Sequence, residues 1–190
     1  MNTPAHVAVN LVVLGRKHRP ELNVPILLGS LLPDLPIIVF YMVEKLYRNL
    51  PESVIWSDAY YRPGWQAFID VFNSIPLALA GWLVFTVWKH SRPAIFFASM
   101  ALHATLDFLL HHDDAHRHFM PLSDWRFESP VSYWDPDHFG QVMSFVEIAA
   151  VIGTCMILWR RFPSGGARRM TTGLAGVYSA YWAYVMVVWM

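Results

Sequence analysis

The sequence predicts an all-α, polytopic membrane protein: about five spanning helices, a short N-terminal helix before them, and proline-broken helices around a buried polar site. Three observations carry that expectation. The 190 residues are 55% hydrophobic and only 15% charged, with a positive mean hydropathy, a balance that suits a bilayer better than water. Five apolar stretches, at about 22–46, 65–89, 93–112, 140–160 and 170–190, approach the roughly 20 residues needed to cross hydrocarbon. Basic residues gather in three separate loops that fall on one side if the spans alternate.

Residues 4–15 read as a helix opened by Thr3 as cap and Pro4 at its first position. Twelve residues rise only about 18 Å, short of a hydrocarbon core of roughly 30 Å. The 22–46 stretch contains Gly29-Ser30-Leu31-Leu32-Pro33-Asp34-Leu35-Pro36, two prolines around a carboxylate. Each proline removes a backbone donor and obstructs the carbonyl four residues earlier. In lipid such a break persists only where it is buried in protein or lines a polar cavity. The 65–89 stretch carries a second interruption, Asn73-Ser74-Ile75-Pro76, which an ordinary proline kink explains equally well. The 93–112 stretch runs into a histidine-rich segment, and 140–160 and 170–190 flank a basic Gly/Ser turn at 160–169. Polar, proline-containing connectors occupy 47–64 and 113–139. No repeat or low-complexity tract divides the chain, so residues 1–190 form a single integral membrane domain. Cys155 is the only cysteine, which excludes an intrachain disulfide and suits a small core residue.

Orientation follows from charge. Arg16, Lys17 and Arg19, then Lys89 and Arg92, then Arg160, Arg161, Arg168 and Arg169 make nine of the fourteen Lys and Arg residues. That side is expected to be cytoplasmic, which places connector 113–139 on the outer, periplasmic side of a bacterial inner membrane. The N-terminus shows no basic segment followed by a signal-peptide core, so no cleavage is expected. Formal net charge is zero, so bulk electrostatics gives no reason to expect a nucleic-acid partner. No phosphate-binding loop, dinucleotide fingerprint or serine-nucleophile motif is present.

The segment from His103 to His118 holds five of the nine histidines, with Asp107, Asp113 and Asp114 among them. Imidazoles and carboxylates are the ligands of zinc, manganese and iron. Counted at about 1.5 Å per residue from the basic loops, His6 lies roughly 15 Å deep, and Asp34, His103, Asp107 and Glu147 roughly 16–23 Å. Ionisable groups at that depth face a protein interior or a wet cavity and mark function. His103, Asp107 and His111 share one helix face at successive four-residue spacings. His112, Asp113 and Asp114 read as the helix end, where a solvated interfacial patch is the competing explanation. His116 and His118 have turn-like spacing, and His18, His90 and His138 carry no signal beyond loops and interfaces.

His6, then Leu31-Leu32-Pro33-Asp34, then His103-x-x-x-Asp107, then Pro121-Leu122-Ser123-Asp124-Trp125-Arg126-Phe127 and Pro130 occur in that order. Over roughly residues 4–135 this order resembles a bacterial inner-membrane family described as membrane-bound metal-dependent hydrolases, some controlled by the DNA-damage response. More distantly the pattern is similar to zinc-dependent phospholipases C. The resemblance implies a divalent metal ion, zinc first and manganese or iron as alternatives, and a lipid or phosphoester substrate. It implies that His6, Asp34, His103 and Asp107 hold the metal, with His111 or His112 completing the shell or helping to hold a second ion. Family members usually carry an Arg-Gly-x-Thr-His-Ser-like stretch where this chain has Asp70-Val71-Phe72-Asn73-Ser74. Asp70, one turn from Asn73, or the run His111-His112-Asp113-Asp114 is therefore expected to replace the missing ligands. Asp70, Asp113 and Glu147 are candidate general bases. Arg126, between two aromatics, is a candidate anion clamp or, equally, an interfacial anchor. Broken helices with midplane carboxylates also describe transporters, and a closed metal site would suit an assembly protein. The sequence leaves the oligomeric state open.

Overall fold

The computed structural model describes residues 1–162 and 165–188. They form α1 (Thr3–Leu14), α2 (Asn23–Leu31), α3 (Leu35–Met42), α4 (Pro63–Phe72), α5 (Ile75–Val87), α6 (Ser91–Phe108), α7 (Gly140–Arg161) and α8 (Gly165–Val188). No strand occurs among the described residues. Three helical stretches are long and apolar enough to cross a membrane: Pro20–Tyr47, Pro63–Val87 and Gly140–Arg161. The stretches expected at 93–112 and 170–190 are also helical, as α6 and α8, with Trp189 and Met190 outside the described residues. Arg92, His103 and Asp107 dilute the apolar character of α6, and glycines, threonines and tyrosines dilute that of α8.

Both expected helix interruptions are present. Leu32–Asp34 is a single 3₁₀ turn between α2 and α3, so the Pro-Asp-Leu-Pro run offsets the helix without ending it. Between α4 and α5 the chain leaves helical geometry at Asn73 and Ser74, and the Ser74 hydroxyl caps α5 by accepting from the Leu77 N–H. The two breaks lie side by side: the Asn73 amide donates to the carbonyls of Pro33 and Ile69, both at 3.2 Å. Connector 113–139 closes them from outside. The Ile75 N–H donates to the His118 carbonyl at 2.9 Å, and the Ser74 hydroxyl donates to the Met120 carbonyl. Backbone groups freed by the breaks are thus satisfied by protein, as an apolar surrounding demands.

The short helix α1 lies in the middle of the bundle, against α2, α6, α7 and α8. Val7, Ala8 and Leu11 are buried with Leu22, Ile26, Leu158, Phe162 and Leu174. Helix α7 closes both ends of α1. Glu147 accepts the Asn2 backbone N–H at 2.9 Å and its side-chain amide at 2.6 Å. Arg161 donates to the carbonyls of Val12 at 2.7 Å and Gly15 at 2.8 Å. An anion at the helix N-terminus and a cation at its C-terminus both complement the helix dipole. These contacts make α1 and α7 parallel and bring Arg16, Lys17, Arg160 and Arg161 to one end.

Helices α2 and α6 approach almost to backbone contact. A Cβ on Gly29 would lie 2.2 Å from the Phe96 carbonyl oxygen and 2.9 Å from Ser99 Cβ. The approach lets the Ser99 hydroxyl donate to the Ile26 carbonyl at 2.7 Å while Asn10 of α1 donates to the Ser99 carbonyl at 2.8 Å. Gly29→Ala is therefore expected to push α2 off α6 and cost about 1–3 kcal/mol through overpacking. A thermal-melting comparison with Gly64→Ala, where nothing lies within 4 Å of the added carbon, checks it.

Candidate metal centre

Three elements deliver one polar cluster. Helix α1 brings His6, α6 brings His103 and Asp107 one turn apart, and the 3₁₀ turn brings Asp34. His6, His103 and Asp107 are buried, and each offers a ligand atom within 4.8 Å of the others. The imidazoles of His6 and His103 stack with ring centres 3.6 Å apart. His6 Nε2 lies 2.8 Å from Asp107 Oδ1, and His103 Nε2 lies 3.0 Å from Asp107 Oδ2 and 3.4 Å from Asp34 Oδ1. The Met1 α-amine stands 2.9 Å from Asp107 Oδ1. Asp107 thus uses both oxygens, one toward His103 and one toward His6.

The hydrogen-bond chemistry of His103 is decisive for what fits here. Its Nδ1 is 2.7 Å from the Ser30 carbonyl, an acceptor only, so Nδ1 carries a proton. In the neutral ring Nε2 is then a lone pair, yet it faces two carboxylates. Although Asp107 is near, Nε2 makes no hydrogen bond, and Asp34 Oδ2 and His6 Nδ1 are likewise buried without partners. Two carboxylates converging in a buried space repel unless a cation lies among them, a place that the Met1 amine, an imidazolium at His103 or a metal ion would each fill. Ligands 2.0–2.2 Å from a tetrahedral ion stand roughly 3.3–3.6 Å apart. The 3.4 Å contact of His103 with Asp34 matches this, whereas Asp107 lies 3.0 Å from His103 and at a hydrogen-bond distance of 2.8 Å from His6. The residues present therefore fit a metal ion, with the Ser30 carbonyl orienting a ligand imidazole from behind.

Beside the cluster lies a cavity of about 120 Å³, lined by Asp34, Asn73, His111, Asp114, His116 and Tyr133 among others. It has room for several water molecules. Helix α6 ends at Phe108, so His111 follows a turn rather than continuing the helix, but it still faces inward. Its Nε2 is 3.5 Å from Asp107 Oδ1 and its Nδ1 is 2.9 Å from Asp114 Oδ2. Burial pushes the Asp114 carboxyl up, but the neighbouring His111 imidazole outweighs this and holds it at about 2. Burial pushes the imidazoles of His116 and His118 down to about 3 and about 4. Both are neutral at pH 7, each with one buried nitrogen left without a partner.

The structure separates several residues that the sequence grouped together. His112 is not in this cluster: it points outward to Asp113 and His138. The carboxylate of Asp70 is buried and accepts from the Arg117 backbone at 3.0 Å, the Arg117 side chain at 2.6 Å and Arg126 at 3.1 Å, leaving no free oxygen for a base. Arg126 is committed to Asp70 and to the Ala115 carbonyl, so it ties the connector down and is not a free anion clamp. Glu147 is occupied by Asn2 and by the Tyr178 hydroxyl at 3.1 Å, and caps α1. Asp113 is 58% exposed and faces away from the cavity.

Other residues gained a role that spacing concealed. His116 and Asp114 enter the site because connector 113–139 folds back over the helix breaks, with His118 held beside it at the Asn73 carbonyl. The unpaired Oδ1 of Asn73 and the inward nitrogens of His116 and His118 hint at this only once the breaks are seen to need backbone partners. Neither a protein-family model, a curated protein nor a solved structure matches the chain.

Proposed function

We propose that the protein is a membrane-embedded, metal-dependent hydrolase acting on a phosphoester or lipid-type substrate. The observation that carries the reading is the convergence of His6, His103, Asp107 and Asp34 in one buried cluster, with His103 Nδ1 turned to the Ser30 carbonyl and its Nε2 facing both carboxylates. Asp34, His103, Asp107 and His6 would hold a divalent ion, zinc for preference given two imidazoles and two carboxylates, with His111 beside Asp107 as a further ligand. What such an ion supplies when bound is Lewis acidity, toward a phosphoryl or carbonyl oxygen and toward water.

The chain's own residues do the rest. The Ser30 carbonyl fixes the His103 ring, and the Asp114 carboxylate lies against His111 as an ionic neighbour. The cavity between Asp34, Asn73 and His116 gives the reacting group a place beside the ligands, and connector 113–139 roofs it against bulk water. Neutral His116 presents its unpartnered nitrogen to a hydroxyl or a water held there. The three apolar helical stretches, together with α6 and α8, make five spans in a bacterial inner membrane. The basic end is cytoplasmic and the cavity opens toward the periplasmic leaflet.

Elemental analysis of purified protein tests the metal. The wild type is expected to hold it stoichiometrically and His103→Ala to lose it. Turnover of generic phosphodiester and phospholipid substrates should vanish in the same variant. Metal-loaded wild type with no hydrolysis, but with metal flux into liposomes, would replace the enzyme reading by transport.

A further inference from the structure

We propose that His112, Asp113 and His138 form a second transition-metal site, separate from the membrane-buried cluster, that staples the end of α6 to the start of α7. Each offers a ligand atom, and these atoms lie within 4.8 Å of one another. The two imidazoles stack with ring centres 3.5 Å apart and planes 22° from parallel. His112 Nε2 is 3.8 Å from Asp113 Oδ1.

What distinguishes this group from three loop residues in chance proximity is the partner behind each ring. His112 Nδ1 is 2.7 Å from the Ser129 carbonyl, and His138 Nδ1 is 2.5 Å from Asp135 Oδ2. Both partners accept only, so Nδ1 carries a proton in each ring, and the neutral tautomer leaves Nε2 as the ligand atom. A backbone carbonyl behind one imidazole and a carboxylate behind the other is the usual orienting arrangement for metal-bound histidine. Neither ring is free to turn away. The Ser129 N–H donates to the His111 carbonyl at 2.9 Å, and the Ser132 N–H donates to the His138 carbonyl at 2.8 Å. Phe139 takes a left-handed φ of 64°, and a Cβ on Gly140 would stand 2.6 Å from the Asp135 carbonyl oxygen, so the turn is built tightly around His138.

Two imidazoles and one carboxylate, all partly open to solvent, suit zinc or copper(II) and not a hard cation such as magnesium. The ligands come from the residues just after α6 and just before α7, on opposite ends of connector 113–139. A bound ion would therefore lock the connector that roofs the cavity. The inference stands whether or not the buried cluster holds metal.

Equilibrium dialysis of the detergent-purified protein against zinc tests it. The wild type should take up one further equivalent than His138→Ala or Asp113→Ala, both substitutions at partly exposed positions. His103→Ala should retain that equivalent, which separates this site from the buried one. Asp135→Asn, which removes no ligand, should weaken the site roughly 10–100-fold by loosening the His138 ring. Isotherms for His138→Ala and Asp135→Asn that superimpose on the wild type would overturn the proposal.

Discussion

Replacing Asp107 by Asn in a His138→Ala background, which lacks the outer site, is expected to abolish metal binding at the buried cluster and to make folding stability indifferent to chelators. Asp107 is the one residue whose two oxygens meet both His6 and His103, and His111 also approaches it. An amide offers a single weak acceptor and turns an N–H₂ toward one of those rings, so the substitution removes charge and inverts polarity at the point of convergence. In the wild type, free metal at 1,000 times its dissociation constant stabilises the folded state by about 4 kcal/mol through binding linkage. Stripping the metal should lower the melting temperature by that increment. In the His138→Ala background, Asp107→Asn should melt at one temperature with and without chelator. A chelator response that survives in Asp107→Asn and disappears in His138→Ala would move the dominant metal to the outer site.

The parts of this architecture governed by local chemistry were legible in the sequence. Proline on either side of Asp34 and beside Ser74 announces a break, because a missing N–H is a covalent fact independent of context. His103 and Asp107 share a helix face by periodicity alone. The residues with partners that the sequence does not announce are those whose surroundings come from distant segments. Asp70 is a candidate base on sequence grounds, which do not show what binds its carboxylate. Its arginine partners lie 47 and 56 residues on. Glu147 sits at membrane depth as counted, but its partner is the backbone at the start of α1, 145 residues away. His112 differs from His111 by one position, and once α6 has ended at Phe108 that step reverses the direction of the side chain. His138 carried no pattern with the cluster, since the stack on His112 depends on how the connector returns.

The fold-back of connector 113–139 makes Asp70 the residue whose loss should most disturb structure without touching the metal. Its carboxylate is fully buried between α4 and the connector, while Arg117 and Arg126 are 24% and 33% exposed. Breaking a buried ion pair by removing one partner costs about 3–5 kcal/mol. Here the stranded guanidiniums can turn toward water and Arg117 keeps Asp124 at 2.8 Å, so about 2–3 kcal/mol is the expected loss for Asp70→Ala. For a chain of this length that is a fall of roughly 5–10 °C in melting temperature. Protease cleavage should appear first within residues 113–126, since those contacts hold the connector over the helix breaks. Metal content should stay at the wild-type level, because no atom of the Asp34–His103–Asp107 cluster is removed. Unchanged melting with unchanged metal but abolished hydrolysis would instead make Asp70 the proton acceptor of the reaction. The two roles leave opposite signatures in a single variant.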